Sequence, residues 1–167
     1  MRPAGRHDVP AITAIYNHYI RHTAATFFTT ERTLEERTEW AEHYADTGPH
    51  RLLVATDSDG NVLGYASASR YHEREAYDPT VETSVYVAPD ATGRGVGSAL
   101  YDELFAILDA EPSLHLAYAA ISVPNDASLA LHRQFGFTEA GRLPEVGRKL
   151  GRWWTVVLMT RPIPLAR

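Results

Sequence analysis

The sequence predicts a mixed α/β domain in which helices pack on a sheet. Three features point to it: an opening segment with apolar residues at helical spacing, two apolar runs flanking a turn-rich loop, and a later half in which strand and helix patterns alternate. No repeat, low-complexity tract or linker interrupts them, and 167 residues suit one domain spanning 1–167. A chain of this size buries roughly two-thirds of the surface its unfolded form would expose, so it needs neither disulfide nor metal to fold.

From Asp8 to Ile20, Val9, Ile12, Ile15, Tyr16 and Tyr19 fall at helical spacing, with Asp8 available as N-cap and Pro10 tolerated in the first turn. Thr33-Leu34-Glu35-Glu36 is a capping-box pattern and starts a second helix, expected to run to about Tyr44. Arg51–Thr56 and Val62–Ser69 flank Asp57-Ser58-Asp59-Gly60-Asn61, whose residues tolerate positive φ, so the pair reads as a β-hairpin. A strand from Thr80 to Val87 is closed by Pro89, because proline cannot donate to a ladder. Beyond the glycines at 93, 95 and 97, Val96, Leu100, Leu104 and Ile107 form one helical stripe that ends near Asp109. Leu114–Val123 is the next strand, followed by a short helix from Asp126 to Phe135, capped by Asn125 or Asp126 and ended by Gly136. The last strands are Thr138–Arg142 and Trp153–Thr160, the second continuously apolar and therefore expected to be buried on both faces.

Bulk properties narrow the chemistry. Sixteen basic against 21 acidic residues give a net charge of -5, which argues against a general phosphate-binding surface and so against nucleic acid as a partner. The absence of cysteine removes thiol nucleophiles, thiolate zinc sites and disulfides together, and agrees with a reducing cytoplasm. No apolar stretch follows Met1-Arg2-Pro3-Ala4-Gly5-Arg6 and no run approaches membrane-spanning length, so a soluble cytoplasmic protein without a membrane partner is expected. His18 and His22 have the spacing of metal ligands one helical turn apart, but no third ligand accompanies them, and no metal site is expected.

The segment Ser84-Val85-Tyr86-Val87-Ala88-Pro89-Asp90-Ala91-Thr92-Gly93-Arg94-Gly95-Val96-Gly97-Ser98 joins a strand to a helix through glycines. Such a turn can present backbone N–H groups and the positive end of a helix dipole to an anion; structural turns before helices use the same residues. A P-loop would need Lys followed by Ser or Thr after its last glycine, and here Ser98-Ala99 follows Gly97. A dinucleotide fingerprint would begin nearly at the strand end, whereas Ala88 to Thr92 intervene.

Thr92-Gly93-Arg94-Gly95-Val96-Gly97 resembles the pyrophosphate loop of the GNAT superfamily of N-acetyltransferases, usually Gln/Arg-x-x-Gly-x-Gly/Ala, with Thr92 standing where Gln or Arg is usual. Asn17-His18-Tyr19-Ile20, Ala76-Tyr77-Asp78 leading through Thr80-Val81-Glu82, Pro124-Asn125-Asp126-Ala127-Ser128 and Gly151-Arg152-Trp153 are similar to signature stretches of its phosphinothricin branch. Pro144 to Trp153 is similar to the methionine sulfoximine and methionine sulfone acetyltransferases. The resemblance implies a central, mostly antiparallel, twisted sheet splayed at the strand that binds acetyl-CoA, with flanking helices. It implies acetyl-CoA as acetyl donor, held by Val85, Tyr86 and Val87 along the pantetheine, by Gly93, Arg94, Gly95, Val96, Gly97 and Ser98 at the pyrophosphate, and by Asn125, Ser128 and His132. A homodimer is also implied, and the aromatic stretch at Trp153-Trp154 suits an interface.

An α-amine is largely protonated at neutral pH, so its attack on a thioester needs a group to take a proton. On residue type alone Glu82 reads first as a solvated strand-edge glutamate, since most carboxylates are surface groups; the resemblance reverses that order and makes it the base. His132 stands in Leu131-His132-Arg133-Gln134-Phe135-Gly136-Phe137 where many relatives place a tyrosine that protonates the leaving thiolate, and it is either that acid or a cofactor contact. The charged stretch Arg70 to Tyr77 reads as a loop, and the resemblance carries Arg74, Tyr77 and Thr80, with Val81 and Glu82 on the strand, over to acceptor binding. The expected reaction is acetyl transfer to the α-amine of a small amino-acid-like acceptor. A polyamine, an aminoglycoside or a protein N-terminus is the alternative acceptor, and a catalytically silent acetyl-CoA-binding module the alternative class.

Overall fold

A computed structural model describes residues 1–164. Its elements are β1 (Arg2–Pro3), α1 (Val9–His22), α2 (Leu34–Ala41), β2 (Arg51–Thr56), β3 (Val62–Arg70), β4 (Thr80–Val87), α3 (Val96–Leu108), β5 (Leu116–Val123), α4 (Asp126–Gln134), β6 (Thr138–Lys149) and β7 (Arg152–Pro162). The strands form one seven-stranded sheet in the order β1-β2-β3-β4-β5-β7-β6. Every neighbouring pair is antiparallel except β4 and β5, which run parallel.

The period-2 alternation of the strands divides the core between the two faces of the sheet. Leu53 and Ala55 of β2, Ala66 and Ala68 of β3 and Val81 of β4 pack with Leu100, Leu104 and Leu108 of α3. Leu52 and Val54 of β2 and Tyr65 of β3 pack on the other face with Ile12, Ile15 and Tyr16 of α1. β2 is thus buried on both faces, as its unbroken apolar run Leu52-Leu53-Val54-Ala55 requires.

Local chemistry sets the helix ends. Thr33 Oγ1 accepts the Glu36 N–H at 3.2 Å while Glu36 Oε2 accepts the Thr33 N–H at 2.8 Å, so the expected capping box forms. α2 stops at Ala41 rather than Tyr44, because the amides of Glu42, His43 and Tyr44 bond the carbonyls three residues back and tighten the chain into turns. Asp8 precedes α1 but does not cap it with its side chain. Its carboxylate instead accepts two bonds of 2.7 Å from the Arg2 guanidinium and one of 2.7 Å from the Gly5 N–H, tying the amino-terminal strand to the helix entry.

The carboxy-terminal hairpin is longer than the sequence suggested. β6 continues past Arg142 to Lys149 because two register shifts, one spanning Leu143 to Gly147, let Pro144 sit out of the ladder, with Glu145 at a φ of 50°. Leu150 and Gly151, at φ of 52° and 78°, close the two-residue turn. β7 is buried only in its middle: Val156, Val157 and Met159 are covered, whereas Trp153 is 58% exposed, which corrects the expectation of burial along the whole strand. No helix among the described residues is long and apolar enough to cross a membrane.

One close approach holds β3 against β4. A Cβ on Gly64 of β3 would lie 2.8 Å from the Tyr86 carbonyl oxygen and 3.2 Å from Val87 Cα, both backbone atoms of β4. Gly64→Ala is therefore expected to force β3 and β4 apart and destabilise the fold by about 1–3 kcal/mol, read as a lowered urea midpoint with unchanged m-value. An unaltered midpoint would show that the strands separate there without penalty.

Candidate active site

The parallel pairing of β4 with β5 lasts for only three positions, Thr80–Glu82 against Leu116–Tyr118. Beyond it β4 continues beside β3 as far as Val87, and β5 beside β7 as far as Val123. The two half-sheets part, so the edge of β4 from Thr83 to Val87 has no strand partner on this side. Backbone N–H and C=O groups on such an edge call for a ligand or water.

A cleft of about 480 Å³ runs through this fork. Thr83, Ser84, Val85, Tyr86 and Val87 line one side, and Ala119 to Ser122, Asn125, Ser128, Leu131 and His132 the other. Gly93, Gly95, Val96, Gly97 and Ser98 close its end. Gly93 and Gly95 adopt φ of 73° and 78°, and a Cβ on either would meet nothing within 4 Å, so the turn leaves open space above its amides. The first intrahelical bond of α3 runs from the Ala99 N–H to the Gly95 carbonyl, which leaves the amides of Val96, Gly97 and Ser98 free at the positive end of the helix. Arg94 is exposed and does not line the cleft. Asn125 both lines it and caps α4, its Oδ1 accepting the Ser128 N–H at 3.2 Å.

His132 is 4% exposed. Its Nδ1 lies 2.8 Å from the Ser128 carbonyl oxygen, which can only accept, so Nδ1 carries the proton. Nε2 lies 3.0 Å from the Tyr101 hydroxyl and, in the neutral ring, accepts from it. Burial pushes the imidazole below its ordinary pKa, against the opposing effect of the Ser128 bond.

A second cavity, of about 350 Å³, lies on the α1–α2 face of the same sheet. Its floor follows from strand register: Ser69 is opposite Glu82, Ser67 opposite Ser84 and Tyr65 opposite Tyr86, so all six project to one face. Tyr16 of α1, Arg37 and Trp40 of α2, Tyr44, and Ala24 to Phe28 form the roof. The roof segment is held from three directions, by Tyr16 Oη against Thr26 Oγ1 at 2.8 Å, by Lys149 Nζ donating to the Thr26 carbonyl at 2.6 Å, and by Ser122 Oγ donating to the Ala24 carbonyl. Burial pushes the Glu82 carboxyl above its ordinary pKa. Ala25, Ser84, Tyr86, Ala120 and Ser122 line both spaces, so cavity and cleft join directly.

The remaining residues expected at the acceptor are placed elsewhere. Arg74 is exposed, and Tyr77, 41% exposed, packs with Tyr71 and His72. Thr80 lies at the start of β4, and Val81, fully buried, turns into the α3 core on the opposite face. None of these four lines the cavity. Tyr71 nevertheless touches Tyr118, the strand partner of Glu82, at 4.9 Å between ring centroids, so the loop does stand beside Glu82. The cavity residues that sequence reading missed are Arg37, Trp40 and Tyr44, spaced as one helical face, and Tyr65, Ser67 and Ser69, alternating along a buried strand. Polar residues on the inward phase of a strand were the available signal.

A strand fork that opens onto a glycine turn and a helix amino terminus, with a half-buried carboxylate on the floor of an adjoining cavity, is the layout of an acyl-transferring enzyme. The chain belongs to the GNAT acetyltransferase family, whose pattern matches residues 13–137. It is 50% identical over 164 residues to a phosphinothricin N-acetyltransferase of Streptomyces coelicolor, covering 98% of this chain and 95% of that one. It is 42% identical over 159 residues to an L-methionine sulfoximine/L-methionine sulfone acetyltransferase of Pseudomonas aeruginosa, covering 95% and 91%. Among solved structures, a phosphinothricin acetyltransferase from Sinorhizobium meliloti in complex with acetyl-CoA superposes with a TM-score of 0.90 at 34% identity, over 97% of this chain and 86% of that one.

The hydrogen bonds of His132 lead to a spectroscopic expectation. The ring should hold the Nδ1–H tautomer and stay neutral below the ordinary histidine pKa of 6.5. Nitrogen-15 NMR of the imidazole, assigned by a His132→Asn variant, checks this; a fully charged imidazolium at about pH 6 would contradict it.

Proposed function

We propose that this acetyltransferase moves the acetyl group of acetyl-CoA to the α-amino group of a small amino-acid-like acceptor of the phosphinothricin, methionine sulfoximine or methionine sulfone type. The observation that carries the reading is the junction of two spaces next to Glu82: a cleft ending on free helix amides, and a cavity with Glu82 on its floor, which share Ser84, Tyr86, Ala120 and Ser122. The cleft suits acetyl-CoA, which supplies an acetyl group activated as a thioester. Free amides of Val96, Gly97 and Ser98 would hold its pyrophosphate, and the unpaired edge of Val85 to Val87 its amide-bearing arm. The cavity, at about 350 Å³ beneath α1 and α2, suits a small acceptor better than an aminoglycoside.

Glu82 fits the role of proton acceptor. The amine must give up a proton to attack the thioester carbonyl, and a carboxylate made more basic by burial takes it more readily, directly or through one water. His132 fits the role of a wall that orients the cofactor rather than that of an acid, since its single N–H is engaged by Ser128 and its other nitrogen by Tyr101. The same family resemblance, together with exposed Leu143, Val146, Leu150 and Trp153 on the β6–β7 hairpin, supports a homodimer joined through that hairpin.

Glu82→Gln should retain the wild-type KM for acetyl-CoA and lower kcat/KM for the acceptor by about 10²- to 10⁴-fold. The base must be deprotonated, so wild-type kcat/KM should rise with pH through a limb above the ordinary glutamate range, and the Gln variant should keep only the limb of the amine itself. Full activity with the same limb would return Glu82 to a bystander. Light scattering at micromolar concentration is expected to give twice the mass of the 18.6 kDa chain, and Trp153→Lys to halve it; a fully active monomer would refute the dimer.

A further inference from the structure

The acceptor cavity contains a positive charge that proton removal by Glu82 does not use. Arg37 is 5% exposed, and its guanidinium lies between two rings, with Cζ 3.4 Å from the Trp40 centroid and 4.5 Å from that of Tyr16. No carboxylate pairs with it among the described residues. Its Nε and Nη2 have no hydrogen-bond acceptor, and neither has the hydroxyl of Tyr65 on the cavity floor, a residue 1% exposed. Ring faces offset part of the cost of burying a cation, but N–H groups directed past the rings remain unmatched. A buried guanidinium without a protein anion is a receptor for an anion from outside.

We propose that Arg37 anchors the α-carboxylate of the acceptor, so that the α-amine on the same carbon turns toward Glu82. This rests on the acetyl-transfer reading of the site and narrows it. The acceptor types considered above differ in their tails: a phosphinate is charged, whereas a sulfone or sulfoximine is not. Their shared anion is the α-carboxylate, and Arg37, the one buried cation on the cavity wall among the described residues, matches the shared group rather than the variable one. The cavity thereby offers opposite charges to the two ends of a zwitterion, a carboxylate for the ammonium and a guanidinium for the carboxylate. Amines without an adjacent carboxylate, including polyamines, aminoglycosides and a peptide amino terminus, would leave Arg37 desolvated and unpaired, and are rejected for that reason. The exposed Arg74 loop is left to the outer end of the acceptor.

The test compares L-methionine sulfone with its carboxamide, at saturating acetyl-CoA, with rates corrected for the ionisation of each amine. Wild-type enzyme should favour the acid by about 10²- to 10³-fold in kcat/KM. Arg37→Gln should lose about that factor on the acid and change little on the carboxamide, while Arg37→Lys recovers part of the loss and acetyl-CoA KM holds in both. An equal loss on both acceptors would reduce Arg37 to a packing role, and a wild-type enzyme indifferent to the carboxylate would overturn the proposal even if the Gln variant failed to fold. Turnover of neither compound, nor of any free amino acid, would overturn the acetyl-transfer reading and this inference with it, a result distinct from acetylation without preference.

Discussion

The parting of β4 from β5 after Glu82 and Tyr118 is the constraint on which the site depends. A continuous ladder would satisfy the backbone of Thr83 to Val87 and close both spaces. The fold instead keeps each strand bound to its outer neighbour and leaves the inner edges apart, so the sheet is at once the scaffold and the binding groove. Because the fork begins one residue past Glu82, the carboxylate sits at its apex, where the arm of a ligand in the cleft and a molecule in the cavity would meet.

Stability is lowered locally to achieve this. Among the described residues, half-buried Glu82 has no cation paired with it, and buried Arg37 has no anion. Packed apolar residues in both places would stabilise the fold more. The layers on either side compensate: α3 against Leu53, Ala66 and Val81 on one face, and α1 against Leu52, Val54 and Tyr65 on the other, are apolar and closely packed.

Much of the architecture was legible in the sequence because local chemistry decided it. The capping box at Thr33, the turn at Asp57 to Asn61 and the proline after Val87 act over a few residues, and the elements they bound appear where the spacing puts them. The long β6 was hidden because a bulge around Pro144 destroys the two-residue period that reveals a strand. At the site, the glycine turn and Glu82 were visible as a motif and a resemblance. Arg37 was not, since an arginine in a charged helix looks solvated until the sheet beneath it is known to be lined with serine and tyrosine. Conversely, Arg74 and Tyr77 were named from a loop whose sequence suits an anion but whose path runs outside the cavity.

Lys149 links distant parts of the chain. It stands beside the turn of the β6–β7 hairpin, yet its ammonium is bonded to the Thr26 carbonyl in the roof over the cavity, and Phe27 lies against Gly147 so closely that a Cβ there would meet the ring at 2.7 Å. These contacts tie the hairpin to the roof. Any ligand that favoured one position of the hairpin would thereby bias the roof, and by linkage a molecule held under the roof would bias the hairpin in return.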